Sequence, residues 1–213
     1  MPLVELLAEL AVPALRTLQL TALSAAGAAG LALAAAAGKL SPRRALRWAA
    51  IGYIELFRGT SAVVQLFWIF FVLPHFGIVL DAMTAAVLGL SLCVGAYGAE
   101  IVVAAVRAVP AGQLAAADAL GLRPWDRMRH VVFPQALRRI IAPASNLTVE
   151  LLKLTSVTSL VTVAELSFSA QSINQTTMRT AEVFGVTMLL YFAMSSAIIH
   201  GFRLLERRAA RYA

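Results

Sequence analysis

"RTLQLTALSAAGAAGLALAAAAGKLSPRR", residues 16–44, decides the fold of this chain. From Thr17 to Gly38 no ionisable residue interrupts it, and Lys39, Arg43 and Arg44 then follow in quick succession. A helix needs about 20 mostly apolar residues to cross the hydrocarbon of a bilayer. A run of that length ending in a basic cluster reads as a membrane span, roughly 15–38, with its basic end in the cytoplasm. The rest of the chain agrees. Of its 213 residues 60% are hydrophobic and 14% charged, and the mean hydropathy is +0.80. Soluble domains carry about 45–50% apolar and about 25% charged residues, so this excess implies lipid contact.

Four further runs meet the same criterion, at roughly 61–82, 84–106, 142–166 and 183–205. Gly77 and Asp81 divide the second from the third, and Pro74 and His75 stand near the far membrane surface. Basic residues follow alternate spans. Lys39, Arg43, Arg44, Arg47 and Arg58 come after the first. Arg107, Arg123, Arg127, Arg129, Arg138 and Arg139 come after the third, and Arg203, Arg207, Arg208 and Arg211 close the fifth. These segments hold 15 of the 18 basic residues, and the positive-inside rule then places the N-terminus outside and the C-terminus in the cytoplasm. Five crossings are an odd number, as that orientation requires. The opening MPLVELLAEL carries Glu5 and Glu9 with no Lys or Arg before Arg16. It lacks the positive start of a cleaved signal peptide, so the first run reads as a retained span.

The expected fold is therefore all-α and integral to the membrane, one domain over residues 1–213 with no internal repeat and no long linker. The net charge of +7 sits in blocks beside apolar runs without aromatic interleaving, which argues against nucleic acid. Cys93 lies in an apolar run and implies neither a disulfide framework nor a thiol–metal site. The three histidines are scattered and build no catalytic or metal cluster. No GxxxxGK[ST] is present, so the chain does not itself supply a P-loop nucleotide site.

Residues 107–141 form the longest polar loop. Pro110 and Gly112 open a short alanine-rich helix, and Gly121 supplies its C-terminal stop. Pro124 suits the first turn of a second helix, WDRMRHVVF, which Pro134 is expected to end. On it Trp125, Met128 and Val132 share one face, with Val131 beside them, while Arg127, Arg129 and His130 lie away. Docking to a partner and anchoring to anionic headgroups both fit such a segment.

"GQLAAADALGLRPWDRMRHVVFPQAL", residues 112–137, resembles the cytoplasmic loop of ABC-importer permeases. "YIELFRGTSAVVQLFWIFFVLP" (53–74), "AYGAEIVVAAVRAVPAGQ" (96–113) and "LLKLTSVTSLVTVAEL" (151–166) resemble the polar amino-acid branch of that family, of the His/Gln/Arg/Glu type or the ectoine type. The resemblance covers roughly residues 13–208 and implies a type I importer permease of five spans with cytoplasmic coupling helices. In that family the loop docks in a groove of a separate ATPase subunit. Ala116, Ala117, Gly121 and Pro134 match the loop motif, and Pro124 and Trp125 belong to the same stretch. Ala115 stands where the family has Glu, Asp118 where Arg or Lys is common, and Phe133 where Leu is usual. Further on, Leu154-Thr155-Ser156 stands where the branch often has Asp-Thr-Ser, which weakens transfer of an ordinary amino-acid substrate.

Ionisable residues inside spans are costly and point to pathways or internal pairs. Glu100 lies in the third run. Glu150 and Lys153 lie in the fourth, three residues apart, a spacing that allows pairing on one helix face. Pairing with each other and contact with a zwitterionic solute both remain open. Thr148, Thr155, Ser159 and Thr162 recur at i, i+7, i+11 and i+14 as a hydroxyl stripe roughly opposite that face. Helix packing and pathway lining both suit it. Arg58 and Gln65 complete the candidates for the solute pathway.

The function expected is a non-enzymatic permease subunit for polar amino acids or related small zwitterions. The resemblance implies two ATPase copies, a second permease chain (identical or homologous), an extracytoplasmic solute-binding protein and surrounding lipid. It also implies that ATP and magnesium are used by the ATPase, with no cofactor held by this chain. The rival is a stand-alone secondary transporter or channel, for which more spans or an inverted repeat would be usual. A membrane enzyme would need clustered nucleophile, base or metal residues.

Overall fold

The computed structural model describes residues 3–211. Met1, Pro2, Tyr212 and Ala213, the ends of the expected domain, lie outside the described residues, as do the side chains of Leu3, Val4, Ala209, Ala210 and Arg211. The described secondary structure is entirely helical: α1 (Leu3–Lys39), α2 (Arg44–Gly59), α3 (Ala62–Phe76), α4 (Ala82–Arg107), α5 (Ala111–Ala119), α6 (Pro124–Val161), α7 (Leu166–Thr177) and α8 (Thr180–Arg211). Among the described residues α1, α4 and α8 are each long and apolar enough to cross a membrane. The bent pairs α2–α3 and α6–α7 bring the number to five.

α1 and α4 run parallel, and small residues let them do so closely. The Ser91 hydroxyl donates to the carbonyl of Ser24 at 3.2 Å. A Cβ added at Gly95 would stand 2.9 Å from the Cβ of Leu31, and one at Gly98 2.9 Å from that of Ala32. The partner number rises along both helices together, so both cross in the same sense and one return crossing must separate them. The alanine- and glycine-rich composition of the first run thus serves close helix packing.

The return crossing differs from the straight run expected at 61–82. Residues 44–59, outside the expected spans, form α2, and α3 leaves it at a bend of 106°. α3 widens to a π turn over Trp68–Val72 and tightens to a 3-10 turn over Leu73–Phe76, where Pro74 has no N–H for an ordinary ladder. The helix stops at Phe76, and Gly77 takes φ 81°. Asp81 then caps α4, accepting from the Thr84 hydroxyl and from the Thr84 backbone N–H at 3.0 Å. The Thr84 hydroxyl, followed by that N–H, holds the Asp81 carboxyl below its ordinary range.

The fourth crossing is not one helix either. α6 continues through Pro134 because a π turn at Met128–Val132 absorbs the missing hydrogen bond. Pro134 therefore does not end the second loop helix; that helix and the fourth span are one rod. At its far end the rod tightens to a 3-10 turn, Thr155–Val161, and breaks at Thr162 with φ 63°. α7 departs at 54°, so the expected uninterrupted run at 142–166 is broken before its last residues.

Two larger cores and a small one, Ala35, Ile54 and Ala99 between α1, α2 and α4, join these helices among the described residues. Leu20, Ala28, Leu66, Leu90, Val94, Leu151 and Val161 lock α1, α3, α4 and α6 together. Leu6, Leu10, Leu152, Leu166, Val183 and Val186 join α1, α6, α7 and α8. α1 and α6 belong to both, which makes them the frame of the bundle.

Candidate functional site

Two regions carry the chemistry: the polar loop, and the charged or hydrogen-bonding side chains inside the spans. In the loop, α5 projects its alanines unevenly. Ala117 is buried, while Ala115, Ala116 and Asp118 are exposed. Its end is a left-handed cap in which Leu122 N–H bonds the Ala117 carbonyl at 3.2 Å and Gly121 adopts φ 69°. That conformation costs a side-chain-bearing residue about 1–2 kcal/mol, which accounts for glycine there. Asp118 then reaches across the turn to Arg127, Nη1 to Oδ1 2.7 Å, and Gln113 accepts a hydrogen bond from Gln135. The angle between α5 and α6 is thus tied on both sides.

The expected apolar face of the second helix divides. Val132 is buried, whereas Trp125 is 71% exposed and Met128 41%. With Leu120, 78% exposed, Trp125 leaves large apolar surface on a segment outside the bundle, beside exposed Arg123 and Arg129. Among the described residues His130 bonds only its own helix, Nδ1 to the Asp126 carbonyl at 3.0 Å.

Inside the spans, Glu100 is not isolated. It pairs with Lys39 at the end of α1 and lies 3.9 Å from Arg58 at the end of α2. The Arg58 guanidinium also sits over the Tyr97 ring, 5.5 Å from its centroid. Lys39, read from the sequence as a topological marker, is the principal partner; its distance of 61 positions from Glu100 hides the pair from any local reading.

Gln65 is buried in the α2–α3 bend. Its amide donates to the carbonyls of Phe57 at 2.9 Å and Thr60 at 3.2 Å. It therefore satisfies the end of α2 and staples the α2–α3 bend, while its Oε1 is buried without a partner.

Glu150 and Lys153 are both exposed on α6, and among the described residues no ion pair joins them. The hydroxyl stripe does not persist. Thr148 and Thr155 bond carbonyls of their own helix at 2.8 and 2.7 Å, and Ser159 does the same at 2.7 Å. Thr155 is fully buried. The change to 3-10 winding and the break at Thr162 rotate the later members off the line.

The residue that sequence reasoning missed is Glu165, fully buried. It caps α7 with both oxygens and receives the Tyr191 hydroxyl from α8 at 3.0 Å. Its signal was present: an acid at the end of an apolar run, directly before the polar LSFSAQSINQTT, is an N-cap pattern.

Known proteins share this arrangement. The family model for the binding-protein-dependent transport system inner membrane component matches residues 28–211. Relatives include the probable amino-acid ABC transporter permease protein y4tF of Sinorhizobium fredii, 37% identical over 92% of this chain and 85% of its own length. The L-cystine transport system permease protein TcyB of Bacillus subtilis is 37% identical over 92% of this chain and 84% of its own. The glutamine transport system permease protein GlnP of Escherichia coli is 37% identical over 75% of this chain and 74% of its own. Among solved structures, an amino acid ABC transporter crystallised with histidines superposes with TM-score 0.90 at 33% identity, covering 96% of each chain. The methionine ABC transporter MetNI, inward facing, shares the fold at TM-score 0.78 and 18% identity, over 91% of this chain and 92% of its own.

Proposed function

The chain belongs to the family of binding-protein-dependent transport system inner membrane components, and from that premise we propose that it moves polar amino acids or related small zwitterions inward as one permease domain of an ATP-driven importer. The chain is a multi-pass membrane transport subunit. Two copies of an ATPase bind MgATP and hydrolyse it, while this chain holds no cofactor. A solute-binding protein delivers substrate from outside, where the N-terminus lies; the C-terminus and the polar loop are cytoplasmic.

One observation carries the reading. The loop helix α5, tied by Asp118–Arg127 and Gln113–Gln135 to a rod running unbroken from Pro124 to Val161, is a lever from an exposed docking surface into the membrane. Exposed Trp125 and Leu120 supply the apolar contact that an ATPase groove would cover, with Ala115 offering a small surface in place of a glutamate. Glu150 and Lys153 support the second permease chain. Both are exposed on a spanning helix, and charges at that depth face a partner or a water-filled path rather than lipid. Amino-acid relatives such as y4tF support the substrate class.

The test is reconstitution of this permease with its ATPase and binding protein in liposomes, followed by uptake of labelled polar amino acids and of ectoine. Uptake that needs ATP, the binding protein and the ATPase is expected. Solute flux through the permease alone would establish a channel or secondary transporter instead.

A further inference from the structure

Glu165 stands at the junction of three elements. The break between α6 and α7 begins where Thr162 enters the left-handed region and ends where α7 starts at Leu166. A helix start leaves its first backbone N–H groups without partners, and inside a membrane no water replaces them. Here each has one. The Leu166 N–H donates to the Thr17 hydroxyl at 3.0 Å, the Ser167 N–H to Glu165 Oε2 at 2.9 Å, and the Phe168 N–H to Oε1 at 2.9 Å. The Thr17 hydroxyl itself lies 3.1 Å from the Pro13 carbonyl and 3.5 Å from Oε2. Tyr191 of α8 donates to Oε2 at 3.0 Å and lies 2.9 Å from the Ser167 hydroxyl. Arg16 reaches the Ala164 carbonyl at 3.5 Å.

The two cap bonds to Glu165 are local; Thr17, Tyr191 and Arg16 tie this start of α7 to α1 and α8, while α6 meets it through Leu152 in the core of Leu166 and through Thr155 beside Tyr191. Within the break the backbone–backbone bonds are local turns: Thr162 N–H to Ser159, Val163 N–H to Thr158 and Glu165 N–H to Val163. We propose that Glu165 is a positioning residue for transport: it fastens α7 to α1 and α8 as one body, so that motion delivered along α6 is taken up at Thr162 instead of being carried into α7. This rests on reading the chain as an ATP-driven importer subunit. A helix that simply ran on would move α7 with the rod. A break without Glu165 would leave α7 loose, so that hydrolysis moved the rod without shaping the outer half of the path.

The experiment compares Glu165→Gln and Tyr191→Phe with wild type in reconstituted complexes, at equal amounts of assembled protein. The measured quantity is solute taken up per ATP hydrolysed. Glu165→Gln keeps the shape but leaves only one oxygen for two N–H donors; the expected ratio falls about tenfold while hydrolysis continues. Tyr191→Phe removes one bond, and about a threefold fall is expected. A wild-type ratio in assembled Glu165→Gln complexes overturns the proposal, even if their yield or thermal stability is lower, because then the carboxylate only supports folding. Should Glu165→Gln not assemble, a wild-type ratio in Tyr191→Phe overturns it equally. Failure of the importer reading shows separately, as absence of ATP-driven uptake in the wild-type complex.

Discussion

Glu100 shows how one residue's role changes once its neighbours are known. A lone acid in a span is a candidate for solute contact, but this one faces Lys39 and Arg58. Lys39 keeps only 17% of its side chain exposed, so it depends on the carboxylate for neutralisation. Removing one partner of such a pair strands the other, whereas removing both is close to neutral. Glu100→Gln is therefore expected to lower stability by about 2 kcal/mol, between the effect of an exposed and of a fully buried pair. Thermal unfolding in detergent should show a lower midpoint for Glu100→Gln and recovery of most of the loss in the double variant with Lys39→Met. A double variant no more stable than the single one would mean that a stranded Lys39 is not what Glu100→Gln costs. Arg58, 3.9 Å from Glu100 and over the Tyr97 ring, is the second cation of this group.

At the scale of elements, α5 and α6 are joined as one unit by the Asp118–Arg127 bridge. Both side chains are largely exposed, 58% and 37%, so the bridge contributes about 0.2–1 kcal/mol to stability. Its larger effect is on geometry. Asp118→Lys should leave membrane insertion unchanged and lower uptake several-fold, and adding Arg127→Glu should restore most of it by re-forming the pair in reverse. Uptake unchanged by Asp118→Lys would show that the α5–α6 angle does not matter to transport. This unit also shows what can be read from sequence. The start at Pro124 and the cap at Gly121 are legible because each rests on one residue's backbone restriction. The continuation through Pro134 is not, because a π turn built from the ordinary residues Met128–Val132 cancels the proline's effect. The break at Thr162 is hidden for a similar reason. No Gly or Pro marks it, and the chain just beyond the left-handed threonine is fixed by contacts of Glu165 with Thr17 and Tyr191, positions far away in the chain. The spans themselves are legible because hydropathy is additive along the chain, whereas bends and ion pairs depend on which helices become neighbours.

At the scale of the whole molecule, the parallel packing of α1 and α4 and the side on which basic residues gather are independent signs of one topology. Lys39, Arg107 and Arg203 close α1 and α4 and mark the last turns of α8, while the turn between α3 and α4 carries Asp81 and no basic residue. Parallel α1 and α4 put the ends of both on one side whatever the charge rule says, and by the charge rule we propose that this side is the cytoplasm. Thiol labelling checks this directly, since the native Cys93 is only 5% exposed and gives little background. A cysteine at Val79, 78% exposed in the α3–α4 turn, should react with a membrane-impermeant maleimide added to intact cells. A cysteine at Arg44, exposed at the start of α2, should react only after the membrane is opened. The reverse pattern would invert the molecule and place the α5–α6 lever outside, where no ATP-hydrolysing partner could drive it.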